Sequence, residues 1–414
     1  MDFAMPYTEE QERFRQEVRS WLVENIPEDM KEPVDPADFT EEHYRFWRQV
    51  HQKLGAIGWL HPTSLKEYGG GGLSGDHETV IEEELLLARA VPPFGGLVPR
   101  MSGSLLIPIL MVWGTEEQKQ KFLVPLLKGE VVTWQKYTEP SSGADLADYQ
   151  SRAVRDGDDW LLTGQNVFIS GRGTPDYLYG PMMTDSDAPR HRNLGFFIIP
   201  VPSAGLEITE MELLNGKEQH AIFLENVRVP GNHLIGGDHQ GWQVANTGLE
   251  QEHGGRGQAF PSDEMVDRLV SYVQDTKRDG NALGSDFIVQ QAAMEAYIES
   301  HVDSLMAKRT NWMYQNRLDI QYQGNVANVH HREHQLRNAI RVRSIMGIYA
   351  HLGSKDSLAP QGGAQEVHLR YLVGQRHAGG STNIAKVILA RRIGVSRTQE
   401  RAAPTPSSTA SSNG

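Results

Sequence analysis

The stretch from Trp134 to Ser170 constrains the fold of this chain more than any other part of its sequence. It begins with a short apolar segment that runs into a loop of small and polar residues, 138–145. Small residues let backbone amides approach a ligand closely. Alternate residues of a strand share one face, so Phe168 and Ser170 are predicted to lie side by side. An aromatic ring beside a hydroxyl suits a planar heterocycle that is both stacked and hydrogen-bonded.

Five short motifs follow one another along the chain. They are Tyr137-Thr138-Glu139-Pro140-x-x-Gly143-x-Asp145, Gly164-Gln165-x-x-Phe168-Ile169-Ser170, Asn226-Val227-Arg228-Val229-Pro230, Gly241-Trp242-Gln243-Val244-Ala245 and Ala378-Gly379-Gly380-Ser381-x-x-Ile384. At these residues the chain resembles the acyl-CoA dehydrogenase family, the flavoproteins that desaturate acyl-CoA thioesters. Each motif alone is a weak signal, whereas five in the right order are specific. The resemblance covers nearly the whole chain.

The composition restricts the classes of protein that fit. A chain of 414 residues can bury the cores of two or three domains, and a net charge of -13 predicts no nucleic-acid partner. The lack of cysteine excludes a disulfide scaffold and a thiol nucleophile. No apolar run has the length of a membrane span, and the N-terminus lacks a signal-peptide pattern. We therefore expect a cytoplasmic protein without a membrane partner.

Changes of pattern along the chain predict an α+β fold. A capping box at Thr8 and a capping residue at Thr40 open helices in the first part, and Asp156-Gly157 is a hairpin signal in the second. Long helical runs return in the third part, which corresponds to the four-helix bundle of the resembled family. A polar tail rich in Ser, Thr, Ala and Pro follows. The predicted units are an N-terminal all-helical domain (1–130), a small central β-barrel or β-sandwich domain (131–237), a C-terminal helical-bundle domain (238–396) and a disordered tail (397–414).

The resemblance implies that FAD is the cofactor, since the protein side chains supply no redox chemistry. Phe168 would stack on the isoalloxazine ring, and the Thr138 hydroxyl would hydrogen-bond it. Ser381 would meet the phosphates or ribose at the start of the last helix, because a helix N-terminus suits such groups. The cofactor-binding residues that the resemblance implies are Tyr137, Thr138, Gly143, Ala144, Phe168, Ser170, Arg278, Ser381 and Asn383.

Two of these positions depart from the family pattern. Ala144 stands where many members have Ser, so one hydroxyl contact is lost. The family usually supplies an Arg from the neighbouring subunit to the FAD site, and the aligned position here is about Gly280. Arg278, two residues away, is expected to substitute for it. The resemblance implies a homo-oligomer, a dimer or a tetramer, and a hetero-oligomer with a related chain stays open.

The catalytic base is expected to be Glu252. Many family members place a Glu immediately before the Gly-Thr of the last motif, where this chain has Gly379. A smaller subset carries the Glu on the helix that starts near Gly241, and Glu252 matches that position. Burial beside a flavin and a thioester would raise the pKa of this carboxyl. The alternative is a structural helix carboxylate without a catalytic role.

Helix geometry separates Glu252 from its neighbour. Glu250 and Glu252 are about 200° apart around a helix axis, so they cannot share a face. Glu252 lies on the side of Gly248 and Gly255, whose missing side chains are expected to leave room for a substrate.

The resemblance implies FAD-dependent α,β-dehydrogenation of an acyl-CoA thioester, with electrons passed to an electron-transfer flavoprotein. One alternative is a non-catalytic or half-site subunit that pairs with a related chain, which Gly379 and Ala144 favour. Another is a flavin oxidase or monooxygenase of the same fold. The loop 361–379 resembles the shortened loop of bacterial members that act on bulky CoA thioesters, such as those of sterol side chains or alicyclic acids.

Two further patterns are interpreted as structural. The run Gly69–Gly72 lacks the Gly-Lys-Ser/Thr ending of a phosphate loop, so a permissive turn is predicted. His330 and His334 have the i, i+4 spacing of a metal-binding pair. No carboxylate triad or cysteine supports them in the sequence, so an exposed helix face and no metal site are expected.

Overall fold

The order of the elements is helices, then strands, then helices, which confirms the α+β fold. The structure is a computed structural model and describes residues 7–31, 33–90, 105–253, 257–258, 261–375 and 381–396. The predicted tail and the predicted positions Gly379 and Gly255 lie outside these ranges. Within them, none of the helices combines the length and the apolar character needed to cross a bilayer.

Capping boxes start three helices of the N-terminal part: at Thr8, where a capping box is predicted, at Thr40, where a capping residue is predicted, and at Thr115. A π-helical turn, Lys119–Leu123, joins the last two helices into one run. The helices are α1 Glu9–Asn25, α2 Glu41–Ala56, α3 Gly75–Leu87, α4 Leu106–Trp113, α5 Glu116–Gln118 and α6 Val124–Leu127.

The glycine-rich run after Tyr68 is a tight turn, as predicted. Gly69 has a φ of 96°, in the left-handed region that favours glycine. A Cβ on Gly70 would lie 2.5 Å from the backbone of Ser64, and one on Gly71 would lie 2.2 Å from the Gly58 carbonyl oxygen. Close backbone packing therefore accounts for these glycines.

The strands of the central part form one mixed sheet with the order β6-β7-β3-β2-β4-β5-β8. Strands β1 and β2 both run parallel to β4, one after the other along the same edge. The predicted hairpin at Gly157 joins β2 to β3. The strands are β1 Thr133–Gln135, β2 Arg152–Asp156, β3 Asp159–Ser170, β4 Tyr177–Met183, β5 Leu194–Pro200, β6 Leu206–Leu213, β7 Gly216–Pro230 and β8 Leu234–Ile235.

Four helices of the C-terminal part, α8 to α11, contact one another in a closed ring around an apolar core. Leu269, Ala296, Val342 and Leu372 each come from a different one of these helices. A short hairpin, β9 Lys277–Arg278 and β10 Asn281–Ala282, precedes α9. The helices are α7 Gly241–His253, α8 Glu264–Asp275, α9 Phe287–Gln315, α10 Gln323–Met346, α11 Ala364–Gln375 and α12 Thr382–Arg392.

Candidate functional site

Four of the predicted cofactor-binding residues lie in one excursion of the chain between β1 and β2. The Lys136 amide donates to the Tyr179 carbonyl at 2.8 Å, and the Met183 amide donates to the Ser151 carbonyl at 2.8 Å. The hydrogen bonding of β4 therefore continues on both sides of the excursion. Residues 137–150 leave the sheet and return to it at the same edge.

Internal hydrogen bonds hold the shape of this loop. The Glu139 carboxylate accepts from the amides of Gln150 at 2.6 Å and Ser151 at 3.0 Å, so it ties the outgoing chain to the returning chain. The Tyr149 hydroxyl donates to the Tyr137 carbonyl at 2.6 Å. Burial raises the pKa of that hydroxyl well above its ordinary value, so Tyr149 stays a donor. The loop is thus held in shape by its own hydrogen bonds.

Thr138 connects the loop to the far end of β3. Its carbonyl accepts from the Val167 amide at 2.9 Å and from Asn166 Nδ2 at 3.2 Å. Asn166 is fully buried, and its Oδ1 has no hydrogen-bond partner among the described residues. Gly143 and Ala144 are exposed at the other end of the loop.

Phe168 occupies a bulge in β3. The pairing of β3 with β7 shifts register between Asn166 and Ile169, and Phe168 has a φ of 57°. A bulky residue in this conformation costs roughly 1–3 kcal/mol. The Phe168 side chain is 54% exposed, whereas neighbouring Ile169 is only 2% exposed. The bulge therefore turns an aromatic ring away from the core.

Ser170 is exposed like Phe168, with buried Ile169 between them. Its Oγ accepts from Gln219 Nε2 across the sheet at 2.8 Å. The exposed ring, the hydroxyl and the organised loop of small residues fit a stacked, hydrogen-bonded isoalloxazine. These are the residues that would hold FAD, which when bound supplies the hydride acceptor.

Helix α7 carries Glu252 in its last turn and contacts the sheet at β4 and β5 and the helix α4. Trp113 Nε1 donates to Thr247 Oγ1 at 2.9 Å. A Cβ on Gly248 would lie 3.0 Å from Ile109 Cδ1. This corrects the expectation that Gly248 leaves room for a substrate, because its missing side chain admits α4 instead. Glu252 follows one turn later along α7.

Arg278 lies in the hairpin before α9, at the position expected from the sequence. Asp279 and Gly280 both have positive φ, as in a tight hairpin turn. The Arg278 guanidinium donates to the Ile345 carbonyl at 2.8 Å. Arg278 therefore provides a hydrogen bond, within its own chain, to a backbone carbonyl in the last turn of α10 that lacks a partner in the helix.

The last helix begins where the sequence predicts. Ser381 is the N-cap of α12, and its Oγ accepts from the Ile384 amide at 3.3 Å. Asn383 is exposed in the first turn. Tyr371 on the preceding helix donates to Glu218 Oε2 on β7 at 2.9 Å. Glu218 is adjacent to Gln219, the partner of Ser170, so α11 is joined to the sheet beside the candidate cofactor face.

Lys136 is a buried charged residue that the sequence analysis did not single out. Its side chain is fully buried directly before Tyr137, and Nζ lies 3.4 Å from the Pro181 carbonyl oxygen. Burial lowers the pKa of Lys136 to about 8, although nearby Glu139 opposes the shift. A lysine inside the apolar run 131–137 is the signal that would have found it.

Comparison with known proteins agrees with this geometry. The profiles for the N-terminal, middle and C-terminal domains of acyl-CoA dehydrogenase match residues 8–130, 135–227 and 239–394. The chain is similar to acyl-CoA dehydrogenase FadE26 of Mycobacterium tuberculosis, at 28% identity over 74% of this chain and 75% of that protein.

Two solved structures share the fold. The ChsE4–ChsE5 complex from Mycobacterium tuberculosis matches with a TM-score of 0.80 at 26% identity, over 95% of this chain and 100% of that chain. The Tcur3481–Tcur3483 steroid ACAD matches with a TM-score of 0.78 at 25% identity, over 97% of this chain and 100% of that chain. The chain belongs to the acyl-CoA dehydrogenase family and is an FAD-dependent oxidoreductase that acts on acyl-CoA.

Proposed function

We propose that this chain dehydrogenates a bulky, steroid-type acyl-CoA between Cα and Cβ, with Glu252 as the base. The observation that carries the proposal is the position of Glu252 in the last turn of α7. That helix packs against the strands that carry the candidate flavin loop and against α4. A carboxylate there can meet a thioester lying between the sheet and the helices.

The reaction needs a base at Cα, a hydride acceptor at Cβ and donors that polarise the thioester carbonyl. Glu252 removes the proton from Cα. The ring of Phe168 and the loop around Thr138 orient the cofactor, and Ser170 contacts its polar edge. Ser381 and Asn383 bind its phosphates or ribose at the N-terminus of α12. An electron-transfer flavoprotein would accept the electrons from the flavin that these residues hold.

The proposed substrate class and the proposed partner chain are based on two similar solved structures. One similar structure is a steroid ACAD with two named components, and the other is a complex of two named proteins.

A row of exposed apolar side chains on one side of α9 supports a partner chain here. The row spans about 80° of the helix surface at 100° per residue. It consists of Phe287, Met294, Ile298, Val302 and Leu305.

A second candidate function is that of a half-site subunit, which forms a complete cofactor site only together with another chain. The hydrogen bond from Arg278 to the Ile345 carbonyl favours it, because that guanidinium is already engaged within its own chain. Ala144 also lacks the hydroxyl that many relatives have at this position. In this arrangement a related chain would complete the site.

Anaerobic flavin bleaching distinguishes these functions. The chain is expressed alone and together with a related acyl-CoA dehydrogenase chain, and each preparation is mixed with a steroid side-chain acyl-CoA or a straight-chain acyl-CoA. Bleaching by the steroid thioester supports the proposal, and electron-transfer flavoprotein should then recover the oxidised spectrum. FAD retained only in the co-expressed preparation supports the half-site subunit. Bleaching by the straight-chain thioester alone contradicts the substrate class, and rapid re-oxidation in air indicates an oxidase.

A further inference from the structure

One carboxylate of α9 faces three histidines of α10. Asp303 Oδ1 lies 3.3 Å from His330 Nδ1. Its Oδ2 lies 2.8 Å from His331 Nδ1 and 3.3 Å from His334 Nε2. The histidine spacing alone predicts an exposed helix face, and the structure corrects this because the His334 side chain is fully buried. The carboxylate of this cluster comes from the neighbouring helix.

His334 presents an unsatisfied nitrogen to this cluster. Its Nε2 has no hydrogen bond of acceptable geometry among the described residues, although Asp303 Oδ2 is 3.3 Å away. A buried polar atom without a partner costs roughly 1–3 kcal/mol. The rings of His330 and His334 stack with their centroids 5.2 Å apart, so both imidazoles converge on the same carboxylate.

The donor atoms are spaced as ligands of one ion. One atom from each of Asp303, His330 and His334 lies within 4.8 Å of the others. Bonds of roughly 2.0–2.1 Å in a tetrahedral shell separate adjacent ligand atoms by about 3.3–3.4 Å. The distances from Asp303 Oδ1 to His330 Nδ1 and from Asp303 Oδ2 to His334 Nε2 are both 3.3 Å, so each carboxylate oxygen lies at such a spacing from one imidazole nitrogen. We propose that these three residues bind one divalent transition-metal ion, such as Zn²⁺, across the α9–α10 interface.

The donor set selects the class of metal. Two imidazoles and one carboxylate favour Zn²⁺, Co²⁺ or Ni²⁺, whereas Mg²⁺ and Ca²⁺ prefer shells of oxygen. The His331 ring hydrogen-bonds the Asp303 carboxylate at 2.8 Å and fixes its orientation.

Asn338 forms the outer contact of the site. Its Nδ2 lies 3.3 Å from His334 Nδ1, and its Oδ1 accepts from the Arg341 guanidinium at 2.7 Å. When Nε2 of a neutral imidazole binds a metal, Nδ1 carries the ring proton. The amide then has to turn its oxygen toward His334. In its present orientation the amide also donates to the Ala296 carbonyl at 3.3 Å, so Asn338 joins the imidazole to the backbone of α9.

The test measures metal on the purified full-length chain without a histidine tag and without acyl-CoA. After chelator treatment and dialysis, Zn²⁺ titration by calorimetry should show one tight site per chain, and Co²⁺ should give the visible bands of a four-coordinate ion. Asp303→Asn and His330→Gln should each weaken binding by about 100-fold or more, since even outer-shell changes cost roughly 10- to 100-fold. Circular dichroism verifies that each variant is folded.

His301→Gln is the matched control. His301 lies on α9 two residues before Asp303, on the exposed opposite side of the helix, so this variant should bind like the original chain. Failure of the original chain to bind one Zn²⁺, or equal binding by Asp303→Asn, overturns the proposal and leaves a metal-free Asp–His network. Flavin content and dehydrogenation are measured separately, so failure of the catalytic proposal leaves this result unaffected.

Discussion

The Tyr371 hydroxyl donates a 2.9 Å hydrogen bond to Glu218 Oε2 and so joins helix α11 to strand β7. The same carboxylate pairs with Arg172, two residues beyond Ser170 at the end of β3. The C-terminal helices are therefore fastened to the sheet beside the face on which the exposed Phe168 ring lies. Contacts that hold this junction should affect cofactor binding as well as stability.

Tyr371→Phe should lower the free energy of unfolding by about 1 kcal/mol, because a hydrogen bond to a charged acceptor is lost at a partly exposed site. Urea denaturation measures this loss. The variant should also release FAD more readily on dilution, as measured by flavin fluorescence. Tyr349→Phe is the control, since Tyr349 is exposed and should leave both values unchanged. Equal FAD release by the two variants would show that the junction does not support the cofactor site.

Glu252→Gln should lower the rate of flavin reduction by roughly 10²- to 10⁴-fold, the usual contribution of a positioned base. The uncharged amide cannot remove the Cα proton but retains a similar shape. Anaerobic stopped-flow absorbance gives the rate, and the absorption spectrum verifies FAD content. Glu250→Gln, about 200° away around the same helix, should retain the rate. A Glu252→Gln variant that bleaches normally would move the base elsewhere.

Phe168→Ala should weaken FAD binding by about 3- to 10-fold or more, since aromatic stacking contributes roughly 0.5–1.5 kcal/mol beyond burial. Folding should be little affected, because the Phe168 ring is 54% exposed. Calorimetric titration of the FAD-free chain measures the change. Phe168→Trp should retain binding, and Phe223→Ala removes another exposed ring of the sheet as a control. Unchanged affinity in Phe168→Ala would exclude stacking at this position.

Gly171→Ala should lower the free energy of unfolding by roughly 1–3 kcal/mol or more through overpacking. The added Cβ would lie 2.0 Å from Cε2 of Trp134, whose ring is buried and packs on His220. Gly143→Ala is the matched comparison, because its nearest contact would be 3.9 Å away. Surface changes of that kind usually stay within about 0.5 kcal/mol. Thermal melts of the two variants should therefore differ clearly, and similar melts would contradict the close packing.

Lys136→Met should stabilise the chain at neutral pH. Burial lowers the pKa of Lys136 from 10.5 to about 8, so the unfolded chain binds more protons between these values and stability rises with pH there. Below about pH 8 the full cost of the buried charge applies, roughly 3 kcal/mol at 1.36 kcal/mol per pH unit. Denaturation at pH 7 and pH 10 should show a gain for Lys136→Met that shrinks at high pH. Lys217→Met, at an exposed site, should show none, and a gain independent of pH would exclude the buried charge as the cause.

Helix boundaries set by local chemistry were predictable from the sequence. The side chains of Thr8, Thr40 and Thr115 accept hydrogen bonds from the first turns of their helices, and these contacts involve residues only three apart. Helix α8 is not predicted individually in the sequence analysis. Its apolar face is regular, however, and consists of Met265, Val266, Leu269 and Val273.

The site itself was predictable only in part. Tyr137, Thr138, Phe168 and Ser170 could be identified from motifs, and the structure brings the two segments together through the Thr138 carbonyl. The bulge that exposes Phe168 depends on how β3 pairs with β7, which local sequence does not encode. The meeting of Asp303 with His334 likewise requires α9 to pack on α10, across a turn of the chain.

Strands β1 and β2 lie end to end along β4, and the chain between them returns to the edge that it left. The alignment of the strands therefore does not depend on the outer part of the loop 137–150. Residues 140–148 can change in length or character with little disturbance to the strands on either side. The outer part of this loop can therefore vary in sequence without a change in the strand pairing on which the fold depends.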